Sequence, residues 1–215
     1  MIRESLRKYL LEEIVPRYAA FDPAHREDHA MTVAERALQM GKYFDIDEEI
    51  LLTAAVCHDL GLAVGRDNHH MESGRIVRCD KRMEQWFTQE QIEIIAQAAE
   101  DHRASSNRIP RSIYGRLVAE ADRMIEPLTV IRRTIQYGLA HYPELDKESH
   151  WMRMLLHLEE KYAEGGYLHL YVENSINAAP LEELRSLIAD RKRLRSLFES
   201  VYSAETTLSV SKNSM

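Results

Sequence analysis

Cysteine is scarce in this 215-residue chain, which holds only Cys57 and Cys79. Two cysteines cannot build a disulfide framework, and these lack the paired spacing of a zinc finger, so reduced and mostly buried thiols are expected. No run approaches the roughly 18 to 20 uncharged apolar residues that a membrane helix needs, so no membrane association is expected. The opening MIRESLRKYLLEEI mixes acids and bases into its apolar positions, unlike a signal peptide, and a cytoplasmic location is expected. A basic surplus is missing too. The formal charge is −7, which opposes the domain-wide attraction that DNA or RNA binding draws on, so no nucleic acid polymer is expected as a partner. Repeats and low-complexity segments are absent, and strict apolar/polar alternation hardly occurs outside YLHLYV at 167–172.

What is present reads as helix. With 45% hydrophobic and 29% charged residues, the chain can bury a core. Helical periodicity covers 3–15, 28–44, 47–60, 70–79, 89–102, 111–126, 128–140, 149–163 and 180–202. Gly41, Gly61, Gly65, Gly165, Gly166, Pro23, Pro110, Pro127, Pro143 and Pro180 fall at or near the proposed ends. The class is all-α, a helical bundle with additional C-terminal helices. The polar 206–215 is expected to be a flexible tail.

Several of these helices carry an imidazole or carboxylate where a core residue belongs. TAAVCHDLGL ends a wholly apolar stretch on His58 and Asp59, and an unpaired carboxylate there demands a hydrogen-bond network, a basic partner or a metal ion. His29 shares a stripe with Val33, Ala37 and Met40, and His102 follows Ile92, Ile95 and Ala99. Asp122 lies between Val118 and Ile125, while His70 shares a face with Gly74 and Val77, the glycine leaving room beside the imidazole. Singly, each is more often a hydrogen-bonded core residue or a cap. Together, four imidazoles and two carboxylates suit a divalent metal, one ion or two, and the lack of cysteine ligands weighs against structural zinc.

The order His29, then His58-Asp59 in AAVCHDLG, then Asp122 in AEADRMIEP resembles the H…HD…D signature of the HD-domain superfamily of metal-dependent phosphohydrolases, over roughly residues 24 to 137. An HD-domain helical core is expected over 1–145, and a C-terminal helical extension over 146–205 packing on it. The resemblance implies that His29, His58, Asp59 and Asp122 bind a first metal, that Asp59 bridges, and that His70 and His102 complete a second. The cofactor would be one or two divalent ions of Mn, Fe, Ni, Co, Zn or Mg. The EADRMIEP stretch is similar to bacterial HD hydrolases acting on dinucleoside polyphosphates. The GYP triplet of cyclic-dinucleotide phosphodiesterases is absent.

The implied activity is hydrolysis of a phosphate ester or anhydride of a small molecule, a nucleotide foremost, by metal-activated hydroxide. Seven arginines against three acids between Arg103 and Arg133 suggest an anion site, against the plainer reading of a solvated helical face with Arg116 and Glu120 paired. Candidate substrate-binding residues are His25, Arg66, Arg103, Arg108 and Arg111, because guanidinium binds two phosphate oxygens in a fork. Asp59, Arg103 and Arg111 are the expected catalytic residues. Arg123 points about 100° from Asp122 and reads as structural. His69 points off the inner face and is left out. Asp67 and Asp101 read as surface groups before proton shuttles, and His141, His150, His157 and His169 as surface or packing residues. The alternatives are a diiron oxygenase on the same scaffold and an inactive HD-type regulatory or binding module. The amphipathic C-terminal helices are expected to cap the bundle or to pair two copies as a homodimer.

Overall fold

The computed structural model describes residues 2–22, 25–103 and 108–212. Pro23 and the last three residues of the expected tail lie outside the described residues. The fold is all-α, as the periodicity predicts, with no strand among the described residues. The alternating YLHLYV segment is irregular chain.

The chain divides into two compact units, Met1–Arg123 with Tyr171–Ile176, and Met124–Leu170 with Asn177–Met215. The first begins with α1 (Glu4–Tyr9), whose path continues as a π-turn and a 3-10 turn to Ala20. Then come α2 (Glu27–Gly41), α3 (Glu48–Cys57), α4 (His69–Cys79), α5 (Gln89–Asp101) and α6 (Ile113–Asp122). The middle of this unit is α3. Nine of its residues, Glu49 to Cys57, are buried, and α2, α5 and α6 pack around it. Asp47 starts α3 by accepting from the backbone N–H of Glu49 and Ile50, while Thr88 and Gln91 form a capping box on α5.

Helix α6 stops at Asp122, short of the expected 126, as Arg123 turns out of the helix at ψ 84°, and the residue before Pro127 is driven to extended backbone. Glu126 has φ −126° and ψ 118°, and its side chain caps the next helix through the N–H groups of Leu128 and Thr129. Glu120 is fully buried rather than paired with Arg116 on a wet face. It accepts hydrogen bonds from the Tyr171 N–H at 2.9 Å and the Ser175 hydroxyl at 2.5 Å. Segment 171–176 therefore belongs to the first unit. Glu120→Ala would orphan both donors and is expected to cost about 2 to 4 kcal/mol, read from the urea midpoint.

The second unit holds α7 (Pro127–His141), α8 (Lys147–Tyr162), α9 (Ala178–Ala189) and α10 (Arg191–Lys212). Ile131, Ile135, Trp151, Met154, Leu158, Leu184, Leu187 and Phe198 make its core. The unit starts at Met124, not near 146, because the Ile131 and Ile135 face of α7 packs against α8. The expected helix 180–202 is two helices broken at Asp190, whose ψ of 83° ends α9 and whose carboxylate caps the next helix through the Arg193 N–H. The backbone expected to fray after 205 stays helical to Lys212. Cys57 is buried, but Cys79, at the end of α4, is exposed, where mostly buried thiols were expected. No helix among the described residues is long and apolar enough to cross a membrane.

Candidate metal centre

Five helix ends converge in the first unit. His29 sits in the first turn of α2, His58 and Asp59 follow α3, His69 opens α4, His102 follows α5 and Asp122 ends α6. Backbone there is already leaving its helical ladder, so side chains can meet without splitting a helix. The Asp59 carboxylate lies between two imidazole pairs. Its Oδ2 is 3.2 Å from His58 Nε2 and 3.7 Å from His29 Nε2. Its Oδ1 is 3.2 Å from His102 Nε2 and 3.5 Å from His69 Nε2. Asp122 Oδ1 joins the first pair, 3.2 Å from His29 and 3.8 Å from His58. Two ligand groups result, His29 with His58 and Asp59, and Asp59 with His69 and His102, the ligand atoms of each lying within 4.8 Å of one another.

The protons fit a cation. A carbonyl oxygen can only accept, so Nδ1–H donates from His58 to Ala55 O at 2.7 Å, from His69 to Arg66 O at 2.7 Å and from His102 to Ala99 O. In the neutral ring the Nε2 lone pair then faces inward, the tautomer that binds metal. His69 Nε2 and His102 Nε2 stand 3.1 Å apart, two lone pairs face to face. The buried Nε2 atoms of His29 and His58 have no aligned hydrogen-bond partner despite the carboxylates nearby. Four nitrogens turned on shared carboxylate oxygens, and unsatisfied by one another, are the donor set of a divalent first-row ion.

Without an ion the site is strongly coupled. Burial opposes charging His58, but Asp59, backed by Asp122, outweighs it and lifts the imidazole to about 9. Burial also opposes ionising Asp59, yet His58 and His102 hold its carboxyl well below the usual range. Asp122 is likewise lowered, with burial outweighed by His29, His58 and His102, whereas burial lowers His69.

The sequence expected His70 here, and the structure instead brings His69 to Asp59 and His102. The helix starts at residue 69, where the first-turn side chain faces inward, a phase that a pattern begun at residue 70 misses. His70 lines a cavity of about 590 Å³ beside the centre, with Arg103, Arg108 and Arg111. Gly74 leaves room for Glu100 rather than an imidazole, since a Cβ there would meet Glu100 Oε1 at 2.5 Å. Glu100 in turn accepts from Arg78 and, at 2.6 Å, from Arg111. Arg111 also donates to both oxygens of Asp101, at 3.0 and 3.1 Å. Its charge is matched by two carboxylates, so it braces α5 instead of reaching for phosphate, and Asp101 is unavailable as a proton shuttle.

Arg103 donates to the Asp67 carbonyl from the cavity wall. On another side, Arg66 donates to Asp22 at 2.8 Å, and Asp22 faces His25 Nδ1 at 3.0 Å, with the His25 ring 5.6 Å from that of His29. Arg123 lies 4.3 Å over the Tyr171 ring, a packing position.

Two residues that hold the centre in place escaped the sequence reading. The Tyr18 hydroxyl donates to Val56 O at 2.7 Å and accepts from the Asp59 N–H at 3.2 Å, fixing the turn that carries the doublet. Arg36 of α2 reaches the Ala121 and Arg123 carbonyls at 3.1 and 3.5 Å and so holds the end of α6 at Asp122. No spacing pattern announces either contact, because both partners are distant backbone groups.

Residues 26–125 match the family model of the HD domain. The chain is also similar in structure to a predicted HD superfamily hydrolase from an uncultured Thermotogales bacterium, with a TM-score of 0.48 and 18% identity over 68% of this chain and 82% of that one. The sequence matches none of the curated proteins.

Proposed function

We propose that this protein is a metal-dependent phosphohydrolase cleaving a phosphate ester or anhydride of a small molecule, a nucleotide foremost. The observation that carries this reading is the Asp59 carboxylate, which faces two imidazole pairs with separate oxygens. His29, His58, Asp59 and Asp122 would hold one ion, and Asp59, His69 and His102 a second. Such ions supply a nucleophilic hydroxide near neutral pH and neutralise phosphate oxygens. The chain's own part is orientation and charge. Arg103 and Arg108, on the cavity beside His69 and His102, and Arg66 with His25 beside His29, offer donors to the remaining phosphate oxygens.

Elemental analysis of protein purified without chelator is expected to find a first-row divalent metal. Phosphate release from a nucleotide panel is expected with added manganese, nickel, cobalt or iron, and to stop with chelator. Metal without phosphate release on any substrate would defeat the reading, pointing to a binding module, or to an oxygenase if dioxygen is consumed.

A pH dependence follows from His58. In the chelated protein its folded pKa, about 9, exceeds its unfolded value. The stabilisation from its proton is thus full below about 6.5 and fades as pH rises to about 9. Asp59, lowered on folding, contributes above its unfolded value and loses that contribution in acid. Metal must displace the His58 proton, so binding at pH 7 should release about one proton per chain, measured by calorimetry in buffers of different ionisation enthalpy.

A further inference from the structure

We propose that the C-terminal unit holds a binding site of its own, for a phosphate monoester attached to a flat ring, of the kind a nucleoside monophosphate presents. A cavity of about 530 Å³ in that unit is lined by Arg133 and Tyr137 of α7 and by Arg153, His157, Lys161 and Tyr162 of α8. Its volume falls in the range that small-ligand sites occupy. No carboxylate lines it among the described residues, although the chain as a whole is acidic at −7. Neither Arg133 nor Lys161 makes an ion pair among the described residues, whereas the neighbouring Arg132 faces Glu205 at 3.6 Å. Three cations around one hollow repel one another, and a dianion is the ligand that turns this repulsion into attraction.

Arg153 supports the same reading. One of its terminal nitrogens donates to the Thr134 carbonyl, and its guanidinium lies 5.7 Å from the Tyr137 ring and 5.8 Å from that of Tyr142. These contacts fix its plane, and its buried Nε has no hydrogen-bond partner in the protein. Gly138 permits the arrangement, since a Cβ there would stand 2.7 Å from the same guanidinium. Tyr137, 51% exposed, puts an aromatic ring in the cavity wall for the ring of the ligand, with His141 stacked on one of its faces at 3.9 Å.

Adenosine monophosphate titrated calorimetrically into the full chain, with chelator present to empty the Asp59 centre, tests the proposal. Saturable binding is expected, weakened about tenfold or more by Arg133→Ser with Lys161→Ser, each charged contact contributing on that scale. Arg133 is exposed, so Arg133→Ser alone serves as a second variant with an unperturbed fold, and it too should weaken binding. Inorganic phosphate alone and adenosine alone are each expected to bind more weakly than the monophosphate, and raising salt should weaken it. Absence of saturable binding, binding unchanged in both variants, or phosphate binding as tightly as the nucleotide would overturn the proposal.

Discussion

Asp59→Ala is expected to leave the protein without bound metal and without phosphate release, while its far-ultraviolet circular dichroism stays near that of the parent. One carboxylate faces both imidazole pairs, so its loss removes a ligand from each group at once. Groups that merely orient a metal ligand cost 10- to 100-fold in affinity when removed, and loss of a shared ligand should exceed about 100-fold. The helix before it survives because its stability comes from the buried stretch Ile50 to Cys57, which the substitution does not touch. A second reading comes from His58. With Asp59 gone, burial acts with less opposition, and the His58 imidazole, raised to about 9 in the parent, should titrate lower in the chelated variant by NMR. Full metal retention in Asp59→Ala would show that the imidazole pairs act without a shared carboxylate and would remove the basis of the hydrolase reading.

Gly61→Ala should be nearly as damaging, although it changes no ligand. A Cβ at residue 61 would stand 2.0 Å from the His69 carbonyl oxygen, 2.7 Å from the Ser73 nitrogen and 2.8 Å from Glu72 Cβ. Two of these are backbone atoms of α4, so no rotamer change relieves them and the helix must retreat. The Gly61 N–H bond to Ser73 Oγ, at 2.9 Å, would stretch or break with it. The expected cost is about 3 kcal/mol, at the upper end for overpacking, or about 6 to 12 °C in Tm for a chain of this size. Because His69 opens α4, metal held by His69, His102 and Asp59 should be lost preferentially, and stoichiometry by elemental analysis would show it. A variant with unchanged Tm and metal content would mean that α4 is not held where the Gly61 contact places it.

Much of the fold was legible because burial in a helix repeats every three or four residues. Val33, Ala37 and Met40 on α2 and Ile92, Ile95 and Ala99 on α5 are all buried where their spacing put them. The helix ends were legible where a cap or proline marks them, and failed where tertiary contacts set them. Asp190 breaks α9 from α10 in a stretch whose apolar spacing runs on unbroken, and α6 stops at Asp122, where Arg36 of α2 reaches the Ala121 and Arg123 carbonyls. His58 and Asp59 were legible as misfits, polar groups at the end of an apolar helix, and His29, His102 and Asp122 as intruders on apolar stripes. His69 was not legible. At a helix start, a one-residue change of phase exchanges which of two adjacent histidines turns inward, and HH in the sequence is the same word either way.

The sequence by itself determined the all-helical class, the inward histidines and aspartates of the doublet and its partners, and the acidic net charge, because each rests on local spacing or summed charge. Tertiary structure alone decided that His69 and not His70 meets Asp59, that Arg111 is neutralised by Glu100 and Asp101, and that Tyr18 and Arg36 hold the doublet turn and the end of α6. These are contacts between segments far apart in the chain. Their energy depends on where distant backbone and carboxylate groups come to rest, which periodicity along one helix does not encode.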